Sequence, residues 1–135
     1  MPKKILTYKG VVQSRDCNAN NHMSMTQYVD KFDQAGQRFM LETGLVHFKN
    51  EGQGIVTIEQ NTKYLKEAFE GNFLDIRSSL IRIGNKAFTV FHEMFNADTE
   101  ELISTMTIVF TFFDKHNKRA LPFPKGMREK LLTEI

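Results

Sequence analysis

The sequence predicts an α+β domain: one long helix packed against an antiparallel sheet of about five strands. Three observations carry this. A single stretch, near residues 25–43, repeats its apolar residues at helical spacing. Four stretches between Gly54 and Asp114 are rich in Ile, Val, Thr and Phe and are separated by compact turn signals. The core is built on Phe, with 12 Phe, 7 Met and no Trp, a composition that favours a packed interior over a disordered chain.

In chain order, Lys4 to Gln13 (KILTYKGVVQ) is β-prone and reads as a first strand. A polar stretch, SRDCNANNHMS at 14–24, follows. Ser24-Met25-Thr26-Gln27 then fits a capping box, with the Ser hydroxyl accepting from an early amide and Gln reaching back. Tyr28, Phe32, Ala35 and Phe39 share one helical face, and Thr43-Gly44 supplies the stop. Gly36 sits inside the apolar stripe, where Gly costs about 1 kcal/mol against Ala, so something flat is expected to approach there, a sheet being the natural partner. Strands are expected at 54–66, 73–83, 87–95 and 102–113. Along the last of these, Leu102, Ser104, Met106, Ile108, Phe110 and Phe112 form an apolar face opposite a mixed one. The tail, PFPKGMREKLL, reads as a turn and a short basic helix. A sheet wrapped around a single central helix is the hotdog arrangement, here one domain over 1–135.

Composition limits function. The chain has 135 residues and a formal net charge of +2, too small to argue for nucleic acid. A lone cysteine, Cys17, excludes an internal disulfide and fits a reducing compartment. The start, MPKKILTYKG, lacks the apolar region of a secretory signal, and no apolar run is long enough for a membrane span. The expectation is a cytoplasmic protein with no membrane or nucleic-acid partner. The four histidines are scattered, so no metal spacing is present and no metal is expected. No Gly-rich phosphate loop is visible either.

The polar stretch carries a resemblance. Asp16-Cys17-Asn18-Ala19-Asn20-Asn21-His22-Met23-Ser24, followed by Tyr28, Phe32 and Ala35, resembles the D-x-D-A-x-G-H-[VM]-N…Y…F…A pattern of acyl-CoA thioesterases in the 4-hydroxybenzoyl-CoA thioesterase-like group. Thr62-Lys63-Tyr64-Leu65-Lys66, Gly84-Asn85-Lys86-Ala87-Phe88-Thr89 with His92-Glu93, and the Leu121-Pro122-Phe123-Pro124 tail resemble later segments of the same group. The resemblance implies a hotdog fold, a homodimer or homotetramer, and hydrolysis of an acyl-CoA to free acid and CoA. It also implies a site at the subunit interface beside the start of the central helix. No cofactor is implied beyond the coenzyme A of the substrate.

Three departures matter. The group's usual catalytic Asp position is Asn18, its usual Gly is Asn21, and its usual Asn is Ser24. Asn can orient a water but cannot take a proton. Asp16 offers a substitute: were 16–18 extended, Asp16 and Asn18 would share a face, with Asp16 as base and Asn18 holding water. The competing reading has Asp16 merely turning the chain. His22 completes the catalytic candidates, against a loop-holding role. Backbone amides of Met23, Ser24 and Met25, at the positive helix end, are the expected oxyanion donors. Asn20 and Asn21, which tolerate left-handed conformations, and Tyr28 are candidate substrate contacts. Lys63, Lys66 and Lys86 are candidate partners for CoA phosphates. Cys17 is expected to turn away as a small buried thiol, and His92 to be structural. The favoured function is a thioesterase for short or modest acyl groups. The alternatives are a non-hydrolytic acyl-CoA or acyl-carrier binder, which Asn18 favours, and a dehydratase, whose motif is missing.

Overall fold

The computed structural model describes residues 2–135. Strand β1 (Ile5–Val11) leads through a 3-10 turn at Ser14–Asp16 to helix α1 (Met25–Glu42). After a second short turn come β2 (Gln53–Tyr64), β3 (Phe73–Ile83), β4 (Ala87–Asn96) and β5 (Leu102–Asp114). A two-residue strand β6 (Arg119–Ala120) and a short helix α2 (Met127–Leu132) close the chain. The main strands run antiparallel in the order β1-β3-β4-β5-β2, with β6 on β5. This is the hotdog arrangement: a curled sheet around one long helix.

The apolar stripe on α1 explains the wrap. Tyr28, Phe32, Ala35 and Phe39 are all buried, and the sheet meets them with two clusters. Leu74, Ile76, Met94 and Met106 face the first half of the helix. Leu80, Phe88, Val90 and Phe112 face Phe39 on the second half, where Met127 and Leu131 of α2 plug the open end. Gly36 faces the imidazole of His92 on β4, but not at the close approach expected of it. A side-chain carbon at Gly36 would lie 3.8 Å from its Nε2, an ordinary contact.

His92 is fully buried as the head of a polar chain. Its Nδ1 meets the Ser78 hydroxyl at 2.5 Å, and Ser78 meets the Thr7 hydroxyl at 2.7 Å. Nε2 has no hydrogen-bond partner among the described residues. Burial therefore pushes His92 down to about 4, because desolvation penalises the charged ring.

One expectation fails at the start of the helix. Ser24 is the N-cap, but its hydroxyl makes no capping bond. Its own amide already donates to Asp16 O at 2.9 Å, so nothing remains for Gln27 to reach back to. Instead the Gln27 amide donates to Ser24 O at 2.8 Å. Strand β6 was absent from the sequence reading, since two residues paired only across a turn leave no periodic signal.

Candidate active site

The helix start is held by a tight turn. Cys17 and Met23 pair across it, the Asn18 amide donates to His22 O at 2.9 Å, and Asn21 sits at φ 62. That left-handed position is why Asn can stand where the related pattern has Gly. The turn is laced to the stretch between β2 and β3. Met23 N donates to Ala68 O at 2.8 Å, His22 bridges Phe69, and Glu70 N donates to Asn21 O at 3.4 Å. Tyr28 adds a strut: its hydroxyl accepts from the Ala68 amide at 3.1 Å and reaches Lys66 O at 3.5 Å. Burial is the chief reason its phenol titrates above the ordinary value. With both hydroxyl contacts used on the backbone, Tyr28 builds the site's frame rather than presenting a free group to a substrate.

The proposed pairing of Asp16 with Asn18 does not form. The chain at Ser14–Asp16 is a 3-10 turn rather than extended, so alternation along a strand does not apply. Asp16 is buried, and one carboxylate oxygen, Oδ2, accepts from the Gln13 amide at 2.9 Å and pairs with Lys31 Nζ at 3.2 Å. Burial pushes this carboxyl up, but the Gln13 amide, the Lys31 ammonium and Arg15 outweigh it and hold it below its ordinary value. Asp16 lines a polar cavity of about 520 Å³ with Tyr8, Gln27, Asp30 and Lys31. Asn18 is exposed, and its Oδ1 accepts from the Asn20 amide at 3.0 Å, the turn-forming habit of Asn. Asn20 and Asn21 are exposed on the same turn.

The three expected backbone donors separate as well. Met23 N is spent on Ala68 O and Ser24 N on Asp16 O. Met25 is the first helical residue, and among the described residues its amide has no acceptor. One donor of three remains available, at the positive end of an 18-residue helix,.

His22 is the best-anchored side chain of the turn. Nδ1 lies 3.0 Å from Glu67 Oε1, and the ring stands edge-on to Phe69 with centroids 4.8 Å apart. Glu67 was not singled out in the sequence. It lies in the irregular stretch after β2, where neither period nor motif marks it. Cys17 is half-buried against the core, its Sγ 3.5 Å from Gln13 O.

The lysines divide. Lys63 is exposed on β2, and Lys66 pairs with Glu101 at 2.8 Å. Both lie near the helix start. Lys86 does not: it adjoins Ala87, which pairs with Thr111, whereas Lys63 and Tyr64 pair with Thr105 and Ser104. At about 3.3 Å per residue, Lys86 is roughly 20 Å along the sheet from the helix start of its own subunit. An apolar groove is also displaced. It measures about 740 Å³ and runs along the second half of α1, with Phe32, Met40, Leu41, Phe48 and Ile55 among its walls.

Comparison with known proteins gives a consistent answer. Residues 12–131 match the family model described as the thioesterase-like superfamily. Among curated proteins, no sequence relative was found. Among solved structures, the chain is similar to SAV2348 of Staphylococcus aureus, solved in complex with CoA. The identity is 24%, coverage is 97% of this chain and 84% of that one, and the TM-score is 0.85. It is similar to a 1,4-dihydroxy-2-naphthoyl-CoA thioesterase from Synechocystis at 12% identity, covering 96% of each chain, with a TM-score of 0.83. A 12:0-ACP thioesterase from Umbellularia californica is 10% identical, with 98% of this chain and 50% of that one covered and a TM-score of 0.87. At these identities the likenesses establish the fold. Among the described residues no helix is long and apolar enough to cross a membrane.

Proposed function

Because the chain belongs to the thioesterase-like superfamily, we propose that it hydrolyses acyl-CoA thioesters carrying short or modest acyl groups. The observation that carries this reading is the unspent Met25 amide at the start of α1. A thioester carbonyl placed there meets a fixed donor and the positive helix end, so the oxyanion forms where charge is already welcome. Asn18, at the lip of the same turn, is placed to steady the water or the substrate.

The displaced groove fits a twofold dimer. Strand β2 pairs with β5 on one side, and its other edge is available to a second copy. Antiparallel β2–β2 pairing turns the two helices end for end. The apolar groove along the second half of one α1 then lies toward the helix start of the other, and would serve as the acyl wall of that site. Lys63 and Lys66 are the lysines best placed for CoA phosphates.

Met25→Pro is the direct test. Proline lacks the N–H but suits the first helical position, and Ser24 at φ -68, ψ 147 already has the extended conformation that precedes proline,. Thiol release from the best substrate of an acyl-CoA panel should fall about 10²–10³-fold in kcat, with an unchanged Tm. Full activity in this variant would remove the helix start from the chemistry. A second reading is favoured by Asn18, a neutral amide already committed to Asn20: a binder of acyl-CoA without turnover. Stabilisation by CoA with no thiol release from any acyl-CoA selects that reading.

A further inference from the structure

The carbonyl-binding end supplies half of a hydrolysis; the attacking water needs a base. We propose that His22, oriented by Glu67, is that base, an assignment that rests on reading the Met25 end of α1 as the carbonyl site.

The other side chains of the turn are excluded on contacts. Asp16 is buried, with Oδ2 held by Lys31 and the Gln13 amide, Asn18 has no basic atom, and Cys17 Sγ is turned toward Gln13 O. His92 is sealed inside the sheet. His22 alone combines a basic nitrogen with access to water, its side chain being 32% exposed. Its backbone is bridged to Phe69, and its ring is held by the edge-on contact with the Phe69 ring and by Glu67. With Nδ1–H donating to the carboxylate at 3.0 Å, the lone pair of the ring lies on Nε2. Glu67 is 62% exposed, so its Coulomb attraction is weak. Its contribution is orientation and choice of tautomer.

The step balances without any further reagent. Nε2 takes one proton from water as the water oxygen bonds to the thioester carbon. The C=O electron pair moves onto oxygen beside the Met25 amide. Collapse restores the carbonyl and breaks the C–S bond, and the departing thiolate recovers the proton from Nε2. The products are a carboxylic acid and the CoA thiol.

Steady-state kinetics on the acyl-CoA that the wild type turns over best tests this. His22→Gln should lower kcat about 10²–10⁴-fold with KM and Tm little changed. Glu67→Ala should lower kcat about 10–100-fold, and Glu67→Gln, which keeps an acceptor for Nδ1–H, should recover part of that loss. The double variant His22→Gln/Glu67→Ala should be no slower than His22→Gln alone, since Glu67 acts only through the ring. Wild-type turnover that survives His22→Gln, or a double variant slowed by the product of the single effects, overturns this assignment alone. A wild type that releases no thiol from any acyl-CoA overturns the parent reading and the base with it.

Discussion

Two histidines face the central helix from opposite situations. His92 lies at mid-helix, fully buried, one nitrogen on Ser78 and the other, beside Gly36, without a partner among the described residues. His22 lies at the helix start, partly open to water, with one nitrogen on Glu67. The contrast teaches what makes a histidine useful for chemistry. Burial in an apolar layer takes away the charged state that proton transfer requires, and a ring without solvent cannot exchange its proton. His22 instead keeps a carboxylate partner and an open face. One ring packs the fold; the other is the proposed base.

The contrast can be broken at several strengths. The largest effect is expected from the ion pair joining the two regions, Asp16 with Lys31, both nearly without exposure. Lys31→Ala strands a buried carboxylate and should cost about 3–5 kcal/mol, read as a drop in denaturant midpoint. Asp16→Asn should lose stability in the same direction while its folded fraction keeps thioesterase turnover. Loss of turnover in fully folded Asp16→Asn would return Asp16 to the chemistry.

Next in size is the acid limb of His92. Its folded value is about 4 against an ordinary 6.5, so between these two pH values the unfolded chain binds a proton that the folded chain refuses. Stability is therefore full above pH 6.5 and declines as pH falls toward 4, by about 3 kcal/mol in all. Urea unfolding at a series of pH values checks this, and His92→Gln should flatten the slope in that window. A slope unchanged by His92→Gln would place the acid sensitivity elsewhere. Asp16 adds a smaller loss of the same sign at still lower pH, because its carboxyl is held below its ordinary value.

The smallest effect is the most specific. An N-cap serine replaced by alanine usually costs about 1 kcal/mol. The Ser24 hydroxyl makes no cap bond, so Ser24→Ala should change stability by less than about 0.5 kcal/mol. A larger loss would show that the hydroxyl caps the helix in solution.

What could be read from the sequence follows the range of the signal. Strand β3 was expected at 73–83 and found there, and α1 ended one residue early, at Glu42, with Thr43 as its cap. Period and turn chemistry are local, and they sufficed. The faces of β5 were legible only in part, since Ile103, Thr105 and Thr111 of the mixed face are buried while Leu102 and Ile108 of the apolar face are half-buried. The site was legible only as a segment. Nothing local distinguishes a 3-10 turn at 14–16 from an extended pair, and that turn decided the fate of Asp16. Lys31 became its partner only through the fold. Glu67 lies far downstream of His22 in an irregular stretch, and their contact exists because Met23 and Ala68 share a hydrogen bond. Lys86 failed for the converse reason, since strand register alone shows which end of the sheet it occupies.

The lacing of residues 21–23 to 68–70 has a consequence for how such a site can change. Main-chain bonds, rather than complementary side chains, hold the two strips of chain in alignment, and backbone groups are the same whatever residue bears them. Substitutions that reshape the neighbouring walls for a bulkier or more polar acid can therefore accumulate without dislodging the proposed His22–Glu67 pair. Specificity is free to drift while the chemistry stays put.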